Sequence, residues 1–365
     1  MSSLRQEWFL LASYGTVLTF VWQRGTLLSG LENSAKLALV FIWLFAVVLS
    51  SSLRVVGHAD QLAHRLGEPY GTLLLTLSVT FIEVASIAAV MTHGEANPTL
   101  ARDTMFAVVM IVLNGMVGLS LFMGGWIHRE QVYNLQGANS YLGVIIPLVV
   151  LSLVLPNFTL TTPGPILSGP QEWFLVFVSV GLYAAFLWTQ TGRHREFFSL
   201  RNERKQHRPA ARVADQPVMF HVVLLIGYLA PIVFLAEQLA VPVDYLIETL
   251  RAPAALGGVL IAILVATPEA IGAIRASANN RIQRSINIFL GSVLSTIGLT
   301  VPAMILVSHI IGHKLILGVE HTDMVMLLLT LVVSAITFAS GRTNVIQGAV
   351  HLVLFAAYFM LIIQG

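Results

Sequence analysis

Long apolar runs alternate with short polar stretches along the chain, from Trp8 to Ile363. A bilayer core about 30 Å thick is crossed by a helix of roughly 20 mostly apolar residues. The runs lack the period-two alternation that marks the strands of a membrane barrel, so they predict helices. Eleven segments are predicted to span the membrane: Leu4–Trp22, Leu37–Leu53, Tyr70–Met91, Met105–Ile127, Tyr141–Leu155, Trp173–Thr189, Val218–Ala236, Ala254–Ile274, Ile286–Ile311, Met324–Phe338 and Val345–Ile363.

The composition agrees with this pattern of apolar runs. Of the 365 residues, 56% are hydrophobic and 10% are charged, whereas about 25% of the residues in a soluble domain carry a charge. The runs leave no room for a large soluble domain. The chain has no cysteine, which excludes disulfides and thiolate metal sites. We therefore expect an all-α, polytopic membrane protein.

The lysine and arginine residues indicate how the helices are oriented. Fifteen of the 20 fall in connections on one side of the membrane, including seven between Arg193 and Arg212. Basic residues concentrate in cytoplasmic loops, so the N-terminus is predicted to be cytoplasmic and the C-terminus to lie outside. The longest connection, Gln190–Pro217, is polar and basic, and we interpret it as a linker. Contact with anionic lipid is the alternative.

Two segments on either side of that linker resemble each other. Ser78–Ile87 in the third predicted helix and Val265–Ile274 in the eighth each hold one glutamate in an apolar run, shortly after a hydroxyl group. The next helix in each half is rich in small and polar residues. The copies are five helices apart along the chain, and such an odd step makes them antiparallel, as in transporters built from inverted repeats. The predicted organisation is an N-terminal transmembrane helix (1–30), a first five-helix repeat (31–190), a basic cytoplasmic linker (191–217) and a second five-helix repeat (218–365).

Glu83 and Glu269 are the only two of the 18 acidic residues that lie well inside a predicted span. An ionisable group at that depth is costly and usually faces a cavity or a partner. No predicted span contains a lysine or arginine that could pair with either glutamate. The alternative to a functional role is a protonated side chain that joins two helices by a hydrogen bond. Because the two glutamates occupy matched positions, we predict that they form one binding site at the middle of the membrane.

Several residues near the glutamates could supply further oxygen ligands to a hard cation such as Ca²⁺ or Na⁺. Thr80 lies one turn before Glu83 on the same face of its helix. Pro268 is predicted to break the hydrogen-bond pattern of its helix and to free a backbone carbonyl one turn earlier. Hydroxyl-rich faces of this kind also occur in ordinary helix packing. The remaining candidates are Asn114, with Gly118 on the same helix, and Ser292, Ser295 and Thr296, which share one face of the ninth helix.

The chemistry of a buried carboxylate links cation binding to proton binding. A carboxylate in apolar surroundings holds a proton more readily than one in water. Each glutamate could therefore keep a proton when no cation is present and release it when a cation arrives. Since the two compete for the same oxygen atoms, a site open to one side at a time exchanges them. The residues thus point to a cation/proton antiporter.

At these residues the chain resembles the calcium/cation antiporter superfamily, in particular its bacterial cation/proton exchangers. The resemblance is strongest over Thr267–Ala276 and Asn287–Pro302, and in the first half it rests on Glu83 and Asn114. It implies a secondary transporter of the bacterial inner (plasma) membrane that exchanges Ca²⁺, Na⁺ or K⁺ for H⁺ by alternating access, without enzyme activity or a cofactor. The residues implied to bind cation and proton are Glu83 and Glu269, with Asn114 and Ser292 to Thr296 lining the same site.

The chain departs from the family in two places. The family's Gly-Asn pair before each glutamate is replaced by Val79-Thr80 in the first copy and by Val265-Ala266 in the second, which leaves the remaining coordination and the choice of cation open. The central linker is basic, whereas many members carry an acidic segment there, and this argues against a calcium-sensing role for the linker. The expected partners are inorganic cations, protons and the lipid bilayer, and nothing predicts contact with nucleic acid.

The same residues are compatible with other functions. An intramembrane hydrolase would use paired acids as general acid and base, but such enzymes pair aspartates, and neither glutamate-containing span has one. A channel is the third candidate. The 11 histidines show no spacing typical of a zinc site. His221 and His351 lie inside predicted spans, and we interpret them as packing residues, with a proton relay as the alternative.

Overall fold

Helices account for all eleven predicted spans in the computed structural model, which describes residues 7–66, 70–91, 98–199, 216–253, 255–312 and 314–364. Residues 4–6 of the first predicted span, residue 254 of the eighth and residues 200–215 of the linker lie outside the described residues. The helices are α1 (Trp8–Leu27), α2 (Ser34–Leu66), α3 (Tyr70–Met91), α4 (Leu100–His128), α5 (Leu135–Asn157), α6 (Gly169–Thr191), α7 (Val218–Thr249), α8 (Ala255–Ala278), α9 (Ile282–Ile311), α10 (His321–Thr337) and α11 (Val345–Gln364). Two short strands, β1 (Gln131–Val132) and β2 (Arg342–Thr343), pair antiparallel.

Nine of these helices are long and apolar enough to cross a membrane, counted over the described part of the chain. The other two are α10, which has 17 residues, and α1, which carries Gln23 and Arg24 near its end. The prediction of a polytopic and almost entirely helical membrane protein is confirmed. The inverted arrangement of two five-helix repeats stays a prediction.

α2 and α7 continue well beyond the spans predicted for them. α2 ends at Leu66 rather than near Leu53, and α7 ends at Thr249 rather than near Ala236. A span predicted from an apolar run ends where polar residues begin. The helix itself continues as long as those polar side chains find partners or water. His58, which the shorter prediction places near a helix end, therefore lies inside α2.

A largely buried polar cluster holds this extension of α2 in place. The Tyr228 hydroxyl donates a hydrogen bond to Glu7 at 2.8 Å, and the Arg54 guanidinium lies 3.7 Å from the same carboxylate. Nδ1 of His58 and Nδ1 of His221 are 3.1 Å apart, so one donates to the other. These contacts give Arg54 and His58 of α2 partners within the protein. The helix therefore does not have to end with its apolar run.

The described residues form two compact units. Unit 1 contains α1, α2, α3, α7 and α8 up to Pro268. Unit 2 contains α4 from Ala101, α5, α6, α9, α10, α11 and α8 from Glu269. Each unit therefore takes helices from both predicted repeats. The first two helices of each repeat contribute to unit 1, and the last three contribute to unit 2.

Glycines let α4 and α11 pack closely within unit 2. A Cβ atom on Gly348 would collide with the backbone of Phe122 and would lie 2.9 Å from the carbonyl oxygen of Gly118. A Cβ atom on Gly125 would lie 2.6 Å from the backbone nitrogen of Val345. Small residues allow two helix backbones to approach this closely in a membrane. The two helices are thus in contact through their main chains.

Among the described residues, four helices contain a π-helical segment, in which the hydrogen bonds reach one residue further than in an α-helix. α4 and α9, the helices that follow the two glutamate helices, have one at Ile111–Met116 and at Thr296–Thr300. The others lie at Val150–Val154 in α5 and at Tyr245–Thr249 in α7. Such segments frequently occur at functional sites. Each of the first two contains a residue that the sequence indicates as a ligand.

Candidate ion-binding site

α3 places Glu83 in the interior of unit 1, where the residue is 1% exposed. Thr80, one turn earlier on the same face, is buried as well. The Thr80 hydroxyl has no hydrogen-bond partner among the described residues. An unmet hydrogen bond of a buried hydroxyl costs about 1–3 kcal/mol. The lone pairs of this oxygen are therefore available to a further partner.

α8 carries Glu269 directly after Pro268, and the boundary between the two units falls between these residues. The helix continues through Pro268 from Ala255 to Ala278. Because proline has no N–H group, the carbonyl of Leu264 loses its helical donor. The Thr267 hydroxyl donates to the carbonyl of Ile263 at 2.6 Å. The turn before Glu269 therefore contains a carbonyl oxygen without its regular helical hydrogen bond.

Three hydroxyl groups of α9 form a buried face in unit 2. Ser292, Ser295 and Thr296 are all buried, and their spacing puts them on one side of the helix. The Ser295 hydroxyl donates to the carbonyl of Ser292 at 2.8 Å. Its oxygen keeps lone pairs that can accept a hydrogen bond or coordinate a cation. Thr296 is the first residue of the π-helical segment of α9.

Asn114, in the π-helical segment of α4, contacts two other helices of unit 2 through its amide. Its Nδ2 donates to Oγ1 of Thr330 on α10 at 2.9 Å. Its Oδ1 lies 3.4 Å from Nδ1 of His351 on α11. The other ring nitrogen of His351, Nε2, lies 3.0 Å from Oγ1 of Thr337 on α10. We call these four buried residues the Asn114 network.

Thr330, Thr337 and His351 are not among the ligands that the sequence indicates. Thr330 and Thr337 are seven residues apart and therefore share one face of α10, but hydroxyl groups at this spacing are common in membrane helices. His351 is a polar residue inside an apolar run, which is visible in the sequence. Its contact with Asn114 depends on how α4, α10 and α11 pack, and the sequence pattern does not specify that packing.

Gln238 on α7 is a further buried polar residue of unit 1 that the sequence does not single out. It is fully buried, and neither its amide oxygen nor its amide nitrogen has a hydrogen-bond partner among the described residues. From the sequence alone, a glutamine in an apolar span can equally be exposed, hydrogen-bonded to a neighbour or buried without a partner. Only the three-dimensional packing distinguishes these cases.

The predicted ligands fall into two groups, one in each unit. Unit 1 holds Thr80, Glu83 and Pro268. Unit 2 holds Glu269 together with Asn114, Ser292, Ser295 and Thr296. The pairing of Glu83 with Glu269 at one site stays a prediction.

A protein family described as "Sodium/calcium exchanger protein" matches residues 36–192 and 220–364 of this chain. The two matched segments cover most of its length. The chain belongs to the sodium/calcium exchanger family. Its resemblance to the calcium/cation antiporters is therefore confirmed, and the protein is a membrane transporter rather than an enzyme. The hydrolase alternative is wrong, because the relatives of this chain are transporters.

Two bacterial relatives are similar along nearly the whole chain. The sodium-potassium/proton antiporter ChaA of Escherichia coli (strain K12) is 39% identical over 353 residues, which cover 95% of this chain and 93% of the relative. The putative ionic transporter y4hA of Sinorhizobium fredii (strain NBRC 101917 / NGR234) is 42% identical over 331 residues, which cover 90% of this chain and 89% of the relative.

Solved structures of antiporters share the fold. The crystal structure of the Ca²⁺/H⁺ antiporter protein YfkE has a TM-score of 0.70 at 16% identity and covers 98% of both chains. The crystal structure of the H⁺/Ca²⁺ exchanger CAX has a TM-score of 0.67 at 15% identity and covers 98% of this chain and 88% of the other. At these identities the likeness concerns the fold alone.

Proposed function

We propose that this protein exchanges Na⁺ or K⁺ for H⁺ across the bacterial inner membrane, and that the cation and the proton compete for Glu83 and Glu269. The observation that carries the proposal is the burial of Glu83 inside α3, beside a Thr80 hydroxyl that has no partner among the described residues. A carboxylate in such surroundings is retained at a cost in stability, which is typical of ion and proton pathways in membranes.

The competition between cation and proton provides the coupling. Burial favours the neutral, protonated carboxyl group, whereas a bound cation favours the carboxylate. A cation that binds therefore expels the proton, and a proton that returns expels the cation. Alternating access of the site to the two sides of the membrane then converts this competition into exchange.

The other candidate ligands complete an oxygen-rich environment in this proposal. Asn114 and the hydroxyl groups of Ser292, Ser295 and Thr296 supply oxygen atoms, which hard cations prefer. Pro268 contributes indirectly, because it leaves the carbonyl of Leu264 without a helical donor. Inverted repeats place such partly unsatisfied helices at the middle of the membrane.

The relatives favour monovalent cations over Ca²⁺. The relative at 39% identity is named a sodium-potassium/proton antiporter. The structures named for Ca²⁺ exchange share only 15–16% identity with this chain. Addition of Na⁺, K⁺ and Ca²⁺ separately to acid-loaded vesicles tests this preference. A proton efflux driven by Ca²⁺ alone would contradict it.

The two glutamates are tested by Glu83→Gln and Glu269→Gln, each in everted vesicles from a host without its own cation/proton antiporters. We expect both substitutions to abolish cation-driven proton flux, because an amide can neither bind a proton at neutral pH nor offer a charge to the cation. The amount of protein in the membrane should be unchanged.

Glu130→Gln provides a matched control for these substitutions. Glu130 lies in the connection after α4, where its side chain is exposed and 3.5 Å from the equally exposed Arg342. Exposed ion pairs contribute little, so this variant should exchange cations like the unsubstituted protein. Normal exchange by Glu83→Gln or by Glu269→Gln would refute the glutamate mechanism.

A further inference from the structure

His351 is a buried polar residue that the proposed exchange does not use. It lies in the middle of α11 and is fully buried. Its ring contacts two members of the Asn114 network: Nδ1 faces Oδ1 of Asn114 at 3.4 Å, and Nε2 faces Oγ1 of Thr337 at 3.0 Å. The ring also forms a hydrogen bond with the backbone of Leu113, the residue before Asn114.

The hydrogen-bond chemistry of these atoms sets the direction of each bond. The amide oxygen of Asn114 can only accept, so Nδ1 of His351 carries the hydrogen that faces it. In a neutral imidazole the other nitrogen then accepts, and the Thr337 hydroxyl donates to Nε2. The amide nitrogen of Asn114 donates to Thr330. Both ends of the Asn114 amide are therefore held by specific partners.

The amide orientation and the tautomer of His351 are coupled. A half-turn of the amide would place its nitrogen against His351 and its oxygen against Thr330. That arrangement requires His351 to carry its hydrogen on Nε2 and to accept on Nδ1. The Thr337 hydroxyl can donate or accept and therefore follows either tautomer, whereas the carbonyl of Leu113 can only accept and favours a hydrogen on the ring nitrogen that faces it.

We propose that His351 is a positioning residue for cation binding, because it fixes which end of the Asn114 amide the binding site receives. The inference rests on the proposed function, in which Asn114 is a ligand. Only the oxygen of an amide coordinates a cation, and its NH₂ group repels one. A residue that fixes the amide orientation therefore controls cation affinity without touching the cation.

Two substitutions of similar size separate this role from simple packing. The amide of an asparagine at position 351 reaches about as far as Nδ1 of histidine and can still donate to Asn114. The amide of a glutamine reaches about as far as Nε2 and keeps only the contact with Thr337. Neither substitution carries a group that titrates near neutral pH.

We expect His351→Gln to raise the KM for the cation about tenfold, since one buried hydrogen bond is lost, with little change in the maximal rate. His351→Asn should restore a KM within about twofold of the unsubstituted value, because its amide replaces that bond. Proton flux as a function of pH should keep the same profile in both variants. The measurement is cation-driven proton flux in vesicles over a range of cation concentrations.

A KM that is unchanged in His351→Gln would overturn the proposal. An equal change of the pH profile in both variants would also overturn it, because His351 would then carry the proton itself. If the His351 variants do not insert, Thr337→Val keeps the ring and removes the hydroxyl that holds Nε2 of the ring in place. The proposal requires a higher KM in that variant, and an unchanged KM refutes it.

The glutamate variants distinguish this inference from the proposed function. If Glu83→Gln and Glu269→Gln are inactive while His351→Gln has an unaltered KM, only the role of His351 is wrong. If the glutamate variants exchange normally, the proposed site itself is wrong.

Discussion

Two buried glutamine side chains, one in each unit, differ in how their amides are satisfied. Gln283 in α9 accepts a hydrogen bond from the backbone of Asn134 at 2.7 Å and donates to Asn287 at 3.0 Å. Gln238 in α7 has no partner for either amide atom among the described residues. A buried polar group without a hydrogen bond costs about 1–3 kcal/mol, whereas an apolar group of similar shape removes that cost.

We therefore expect Gln238→Leu to raise the melting temperature of the purified protein by a few degrees. Gln283→Leu is the matched control and should lower it, because the substitution leaves the Asn134 and Asn287 groups unpaired. Thermal unfolding in detergent, followed by loss of monodisperse protein, measures both. A lower melting temperature for Gln238→Leu would mean that the amide has a stabilising partner.

Individual residues of the candidate site could be predicted only where the adjacent sequence is enough to identify them. Glu83 and Glu269 stand out because a charge in a long apolar run is visible without any structure. The burial of Glu83 agrees with that reading, while Glu269 is only partly buried. His351 could not be assigned, because its partners come from helices distant in sequence. Tertiary contacts of this kind leave no periodic signal in the chain.

The contact between α4 and α11 shows how much a helix pair can depend on one position. Gly348 faces backbone atoms of Phe122 and Gly118, and backbone cannot rotate away as a side chain can. Added bulk must therefore separate the two helices. The Asn114 network, which joins the same helices, would be separated with them.

We expect Gly348→Ala to destabilise the protein strongly and to reduce exchange through loss of the α4–α11 contact. Gly143→Ala in α5 is the control, because a Cβ atom there would have no neighbour within 4 Å. Alanine favours a helix over glycine by about 1 kcal/mol, so the control should be neutral or stabilising. Membrane yield and melting temperature report the difference. Equal behaviour of the two variants would contradict the close packing.

Whole helices were predictable in number and position but not in their ends or internal geometry. Each apolar run corresponds to a helix, because a backbone in lipid must satisfy its own hydrogen bonds. The ends of α2 and α7 extend further because polar side chains such as Arg54 and His58 find partners inside the protein. The π-helical segments do not change hydropathy, so an apolar pattern cannot indicate them.

The two compact units cut across the two halves of the sequence. Unit 1 packs α2 and α3 from the first half against α7 from the second, and unit 2 packs α4 against α11 and α5 against α9. The apolar runs follow one another along the chain, so their pattern predicts two consecutive repeats, at 31–190 and 218–365. The faces of the helices determine which helices pack together. In each unit, helices from the first half of the sequence pack against helices from the second half.

The interleaving predicts how a divided chain behaves. Expressed alone, the fragments before and after a cut between Arg204 and Lys205 should each be degraded, because each lacks helices that complete both units. Expressed together, they should assemble and restore cation-driven proton flux. Protein levels in the membrane and flux in vesicles measure the outcome. A stable, monodisperse first fragment without the second would show that the halves fold independently.

The π-helical segment of α4 holds one residue more in its turn than an α-helix does, because its hydrogen bonds reach one residue further. An α-helix turns by about 100° per residue, so loss of one codon between 117 and 125 would rotate the residues after it away from α11. Loss of one codon within 111–116 is absorbed when the segment becomes a regular α-helical turn, and Gly118 and Gly125 keep facing α11. The segment is therefore the part of α4 where the reading frame of the helix can lose an amino acid without losing the contact with α11.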